Sequence, residues 1–250
     1  DGRLVRGFES HKALALLCYL AVQVHPVPRS HLADLFWEGK PEARGRGNLS
    51  RVLHNIATLL PGCLQADRDS VQFNRGNAYW LDVEAFEETV KRGLVSAPHA
   101  GGGTERRRPP PDPLLVNALT LAVDLYRDDF MAGIYLDDCP EFEVWLVTQR
   151  ERWRQRFDRV LQLLIAHYIC RGEYEPGLRY ASRLLALDPW REEVHRQMML
   201  LLTLSGQRSA ALVQYEICRR TLAKELGVTP TAETVALYER IRAEEIGKRP

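Results

Sequence analysis

The chain has 250 residues, of which 45% are hydrophobic and 27% are charged, the ordinary composition of a globular protein with a buried core. A formal net charge of +1 excludes a protein that coats itself in nucleic acid, so any DNA contact must be local. No apolar run is long enough to span a membrane, no signal peptide opens the chain, and the five cysteines have no C-x-x-C spacing. We therefore expect a cytoplasmic protein with reduced thiols and no membrane partner.

Two short helices are predicted first. Apolar residues at helical spacing predict a helix over residues 10–24, with Ser10 as its N-cap, and a second helix whose inward face runs from Leu32 to Trp37. The segments HPVP at 25–28 and GKP at 39–41 end these helices, because proline and glycine interrupt helical hydrogen bonding.

The stretch over residues 44–60 predicts a third helix with two distinct faces. Its apolar residues fall at i, i+3, i+4, i+7 and i+11, and they are Leu49, Val52, Leu53, Ile56 and Leu60. Arg44, Asn48, Arg51 and Asn55 follow one another on another face without an acidic residue. Guanidinium and carboxamide groups can make paired hydrogen bonds to base edges, so this face indicates a helix that reads DNA in a major groove. Any amphipathic helix has a polar face, and the stretch alone leaves that interpretation equally open.

After Gly62 the apolar period changes from helical to alternating. Residues 64–67 and 71–74 predict two short strands joined by a turn, and residues 79–83 predict a third strand. A β-hairpin directly after the third helix indicates the wing of a winged helix-turn-helix. Arg68 at the hairpin tip could contact a minor groove or a phosphate, or it could be a solvated turn residue paired with Asp67 or Asp69.

The second half of the chain predicts helices with an internal repeat. Residues 96–113, rich in Gly, Pro and Arg, predict a flexible surface loop. Helices are predicted over residues 82–90, 114–125, 141–171 and 230–246, and further helix pairs flank Gly172 and Gly206. These two glycines lie 34 residues apart, and Gly177 matches Ala211 at the same offset. This period is typical of tetratricopeptide (TPR) repeats, whose stacked helices suit the binding of a protein or peptide.

The sequence contains no pattern for catalysis or metal binding. The seven histidines show no H-x-x-x-H or Cys/His metal spacing, and no G-x-S-x-G motif is present. We therefore predict no enzymatic activity, no cofactor and no metal.

Several phrases, in this order, resemble the SARP-type (antibiotic-regulatory) transcriptional activators of bacteria. They are KALALLCYLA at 12–21, LADLFW at 32–37, residues 43–60, WLDVEAF at 80–86, LLALDPWREE at 184–193 and residues 206–227. The resemblance implies a mainly α fold: an OmpR-type winged helix with a short β-hairpin wing over residues 1–83, then a bacterial transcriptional activator domain of TPR-like helices over 84–250. The winged helix of the family opens with a small N-terminal sheet. Only residues 3–5 could remain of it, and the chain lacks an initial methionine, so we expect a fragment.

Members of that family bind double-stranded DNA at promoter direct repeats and contact RNA polymerase, so the resemblance implies both partners. The helical domain would position the winged helix, form a homodimer, or hold a partner. The candidates for DNA contact are Arg44, Arg46, Asn48, Arg51, His54, Asn55 and Arg68. The alternative is a TPR-like interaction module of a larger signalling regulator, in which the winged helix binds protein or is vestigial.

Overall fold

The computed structural model describes residues 5–95 and 113–246. The chain divides into two compact units, one of Asp1–Ala85 with Arg127–Arg154 and one of Phe86–Tyr126 with Gln155–Pro250. The predicted loop over residues 96–113 lies outside the described residues, apart from Pro113 at the start of a helix. Of the predicted strand remnant over 3–5, only Val5 is described. The functional division into residues 1–83 and 84–250 stays a prediction.

The first unit begins with three helices, as the apolar spacing predicts. They are α1 (His11–Val22), α2 (Arg29–Trp37) and α3 (Glu42–Leu59). The side-chain oxygen of Ser10 accepts a hydrogen bond from the N–H of Ala13 at 3.3 Å, which confirms Ser10 as the N-cap of α1. Proline precedes both α2 and α3, and neither helix has a side-chain cap.

A three-stranded antiparallel sheet completes the winged helix. Its strands β1 (Val27–Pro28), β2 (Leu64–Ala66) and β3 (Ser70–Phe73) lie in the order β1-β3-β2, and Val71 pairs with Val27 and with Ala66. The prediction of a third strand over residues 79–83 is wrong, because Asp82 already begins helix α4 (Asp82–Val95). The strand that completes the sheet is β1. It lies at the sheet edge, where Pro28, which has no N–H, is tolerated.

The segment Arg127–Arg154 shares the core of these helices within the first unit. The ring of Phe142 lies 4.9 Å from that of Phe36, and both side chains are buried. Lys12 Nζ donates to the carbonyl oxygen of Phe36 at 2.7 Å and to Asp138 Oδ2 at 2.8 Å. The sequence predicts a helix from residue 141, but its periodicity does not predict that this segment packs into the core of the winged helix.

Within its described residues the second unit contains helices joined by turns, and no strand. Its remaining elements are α5 (Pro113–Leu125), α6 (Pro140–Arg171), α7 (Tyr174–Leu187), α8 (Glu192–Leu204), α9 (Arg208–Glu225) and α10 (Ala232–Arg242). Helices α4 and α6 contribute residues to both units. The last helix begins after Thr231 rather than at Pro230, and the hydroxyl of Thr231 donates to Glu192 Oε1 at 2.7 Å instead of capping α10.

The 34-residue period appears in the helices themselves, since α9 begins 34 residues after α7. Gly172 and Gly206 both have positive φ and end the preceding helix of each pair. A Cβ at Gly177 would lie 2.9 Å from Leu201 Cδ2, so α7 and α8 approach closely there. The predicted fold class, mainly α with a β-hairpin wing followed by TPR-like repeats, is confirmed.

Candidate nucleic-acid interface

The buried face of α3 fixes this helix in the first unit. Its apolar stripe from Leu49 to Ile56 is buried, as the spacing predicts. Gly45 is also buried, and a Cβ there would lie 3.6 Å from Ala33 Cβ and 3.8 Å from Trp37 Cβ on α2. A helix held this closely on one side presents its opposite face to solvent at a fixed position.

The predicted contact residues lie on two elements. Arg44, Arg46, Arg51 and His54 are exposed on α3, Asn48 and Asn55 are half-buried on the same helix, and Arg68 is exposed in the turn between β2 and β3. The structure therefore brings six of them together on one helix and sets the seventh on the wing.

Two of the arginines on α3 form ion pairs that water can reach. Arg46 Nη2 lies 2.8 Å from Glu42 Oε1, and Arg51 Nε lies 3.5 Å from Glu9 Oε1. The side chains of Arg46 and Arg51 are 59% and 69% exposed. Exposed pairs of this kind contribute about 0–1 kcal/mol to stability, so either guanidinium can exchange its carboxylate for a phosphate at little cost.

Asn55 is already engaged by the chain that precedes α1. Its Oδ1 accepts a hydrogen bond from the N–H of Glu9 at 3.2 Å, and its Nδ2 donates to the carbonyl oxygen of Gly7 at 3.4 Å. The oxygen and the nitrogen of the carboxamide are therefore both hydrogen-bonded to backbone groups. Asn55 would have to release these bonds to read a base, so Asn48 is the stronger candidate of the two asparagines.

The turn of the wing is built around Asp67. Its Oδ1 accepts hydrogen bonds from the N–H groups of Asp69 and Ser70 at 2.8 and 2.7 Å, and its Oδ2 accepts from the hydroxyl of Ser70 at 3.1 Å. The backbone N–H of Ser70, followed by that of Asp69, lowers the pKa of the Asp67 carboxyl. The carboxylate is thus committed to the turn. Within the described residues Arg68 forms no ion pair with Asp67 or Asp69, so its guanidinium remains available.

Arg29 joins the wing to α3, and the sequence did not identify it. Its backbone N–H donates to the carbonyl oxygen of Asp69 at 2.8 Å. Its guanidinium donates to the carbonyl oxygen of Asp67 at 3.3 Å and to Ser50 Oγ at 3.1 Å. These partners lie 21 to 40 residues away along the chain, so no local pattern could reveal them.

This arrangement is better suited to bind a nucleic-acid duplex, with its phosphates and grooves, than to catalyse a reaction. The charged residues among the candidate contacts are arginines, whose hydrogen-bond donors lie on α3 and in the turn between β2 and β3. Across residues 5–95 and 113–246, no group of three or more His, Cys, Asp or Glu side chains could hold a metal ion. Over the same residues, no helix combines the length and apolar character required to cross a bilayer.

Comparison with known proteins gives matches over most of the chain. Residues 81–242 match the family described as the bacterial transcriptional activator domain. The chain is 42% identical over 235 residues to the transcriptional regulatory protein MoaR1 of Mycobacterium bovis, covering 91% of the chain and 70% of MoaR1. It is 36% identical over 224 residues to the regulatory protein AfsR of Streptomyces griseus, covering 88% of the chain but only 21% of AfsR.

A solved structure supports the fold. Mycobacterium tuberculosis EmbR, in complex with a low-affinity phosphopeptide, matches with a TM-score of 0.64 and 20% sequence identity. The match covers 96% of this chain and 61% of EmbR. The arrangement of a winged helix followed by helical repeats is therefore shared with a protein of quite different sequence.

Proposed function

Because the chain belongs to the SARP-type family of bacterial transcriptional regulators, we propose that it is a sequence-specific DNA-binding transcriptional activator. The observation that carries this proposal is the exposed basic face of α3, on a helix whose opposite face is buried beside a wing. A rigid helix with donors on its free face is what major-groove recognition requires.

In the proposed complex α3 enters the major groove. Arg44, Asn48 and Arg51 contact base edges or phosphates, and Arg46 and His54 contact flanking phosphates. Arg68 contacts the backbone or the minor groove from the wing. Asn55 stays a candidate that must first release Gly7 and Glu9.

Arg29 is added to the proposed site as a positioning residue. It fixes the wing turn against α3 through Ser50, so the distance between Arg68 and the helix is set before DNA binds. An arginine side chain has more N–H donors than these two bonds use, so Arg29 can also contact a phosphate. The resemblance further implies promoter direct repeats as the target and RNA polymerase as the partner that is recruited.

Binding to promoter DNA tests the proposal directly. We expect the purified chain to bind one or more duplexes spanning the region upstream of its own gene, and to prefer them over shuffled duplexes of equal composition. The preference should persist in excess competitor DNA, while overall affinity falls with salt. Equal affinity for promoter and shuffled duplexes would contradict sequence-specific binding.

Activation is tested separately, by run-off transcription with purified RNA polymerase on the selected promoter. We expect more transcript when the protein is added and no increase on a promoter whose binding site is shuffled. Promoter binding without any increase in transcript would leave a DNA-binding protein and contradict the activator role.

The second candidate is a TPR-like interaction module of a larger signalling regulator, in which the winged helix binds protein or is vestigial. One observation favours it: the chain spans only 21% of the length of AfsR, so similar sequences occur inside much longer regulators. This alternative predicts no selective DNA binding. It also predicts that a longer gene product contains further domains beside this chain.

A further inference from the structure

Gly47 is an unusual residue for the middle of an exposed helical face. It lies within α3, is exposed, and has helical backbone without positive φ. A Cβ placed on it would meet nothing within 4 Å. Alanine would therefore fit this position without moving any neighbour.

The fold gives no reason for glycine at this position. Gly45, two residues earlier, lies against Ala33 and Trp37, and Gly62 adopts a φ of +78° that favours glycine. Gly47 shares neither property. Glycine is a poorer helix former than alanine because it loses more backbone freedom on folding, so Gly47 weakens α3 without improving its packing.

Its neighbours on the helix surface are the proposed DNA contacts. Arg44 precedes it by three residues, and Arg51 and His54 follow it by four and seven residues, so all three lie on the same side of α3. Each of them is exposed. Gly47 therefore forms a gap without a side chain in the centre of the basic face.

We propose that Gly47 is the point at which the backbone of α3 approaches the base edges of the DNA most closely. This inference rests on the proposed function. Glycine is used where a backbone must come close to a ligand, because no Cβ holds the two surfaces apart. The gap lets the helix sit deeper in the major groove, which brings Arg44 and Arg51 within reach of bases as well as phosphates.

Substitution with good helix formers tests the inference. Gly47→Ala and Gly47→Leu are compared with wild type on the promoter duplex that wild type binds most tightly and on its shuffled counterpart. We expect a loss of about tenfold in affinity for the promoter duplex with Ala, as one added carbon in a closely fitted contact can cause, and a larger loss with Leu. Binding to the shuffled duplex should change little, because it depends mainly on phosphate contacts.

Thermal unfolding separates this effect from damage to the fold. The melting temperature of Gly47→Ala should stay equal or rise by about 1–4 °C, since the helix gains propensity. The matched control is Ala236→Gly, the reverse change at an exposed position of α10, which should lower the melting temperature and leave promoter affinity unchanged.

Each outcome is decisive. Unchanged promoter affinity in both Gly47 variants, with wild type selective, would overturn the close approach and leave the proposed function standing. A lowered melting temperature for Gly47→Ala would also overturn it, because the fold would then need the glycine. Absence of selective binding by wild type would overturn the proposed function itself, and the inference with it.

Discussion

Replacement of Arg51 by alanine gives the sharpest measure of contact between α3 and DNA. Its side chain is 69% exposed and forms an ion pair with Glu9 at 3.5 Å. An exposed pair contributes about 0–1 kcal/mol, so Arg51→Ala should leave the fold nearly as stable as wild type. A change in DNA binding would then report a lost contact rather than an unfolded domain.

The expected magnitude depends on what Arg51 touches. Each phosphate neutralised contributes about 0.9 to the slope of log affinity against log salt concentration. If Arg51 neutralises one phosphate, a rise from about 50 to about 200 mM salt should weaken wild type about 3.5-fold more than the variant. If it instead makes a bidentate contact with guanine, affinity should fall by about 1–3 kcal/mol at every salt concentration, and selectivity should relax at one base pair.

Fluorescence anisotropy with the selected promoter duplex measures both quantities in one salt series. Arg220→Ala is the matched control, because it removes the same charge from an exposed position on α9. It should leave the slope unchanged. Glu9→Gln releases Arg51 from its carboxylate and should keep or raise affinity. If Arg51→Ala has the affinity and slope of wild type, Arg51 does not contact DNA.

Three further predictions concern the fold that holds this site and the repeats. Gly177→Ala should lower the free energy of unfolding, measured by urea titration, by about 1 kcal/mol. The added Cβ would lie 2.9 Å from the buried side chain of Leu201 and overpack the α7–α8 crossing. A more stable variant would contradict that close approach. Burial lowers the pKa of His195, so stability should fall as pH drops below about 6.5, and melting curves of His195→Asn should depend less on pH than those of wild type. Lys12→Met removes two hydrogen bonds from a largely buried ammonium and should lower the free energy of unfolding by about 1.5–3 kcal/mol. A decrease of less than about 0.5 kcal/mol in urea titration would exclude a stabilising role for Lys12.

The hydrogen bonds of His195 agree with the lowered pKa of its imidazole. Its Nε2 lies 2.8 Å from the carbonyl oxygen of Pro189 and so donates, and its Nδ1 lies 2.6 Å from the amide nitrogen of Gln214 and so accepts. Protonation would place two donors face to face at Nδ1. The unfolded chain therefore takes up the proton more readily than the folded one, and stability rises with pH in that range.

Elements whose signals are local could be predicted from the amino-acid sequence. The spacing from Leu49 to Ile56 defined both faces of α3, because every residue that sets a helical face lies within a few turns of the others. The capping role of Ser10 and the hairpin of the wing follow from signals of the same short range. The 34-residue offset of α7 and α9 is a longer signal, but it also lies along the chain as a repeated pattern.

Contacts between residues far apart along the chain became visible only in the folded structure. Besides β2, the strand that pairs with β3 is Val27–Pro28 rather than the stretch after the hairpin, and Arg29 links the wing to Ser50. Asn55 is held by Gly7 and Glu9, although its position on the polar face of α3 predicts a contact with DNA. These contacts depend on where helices and strands pack together, and side-chain period along one element carries no information about its neighbours in space.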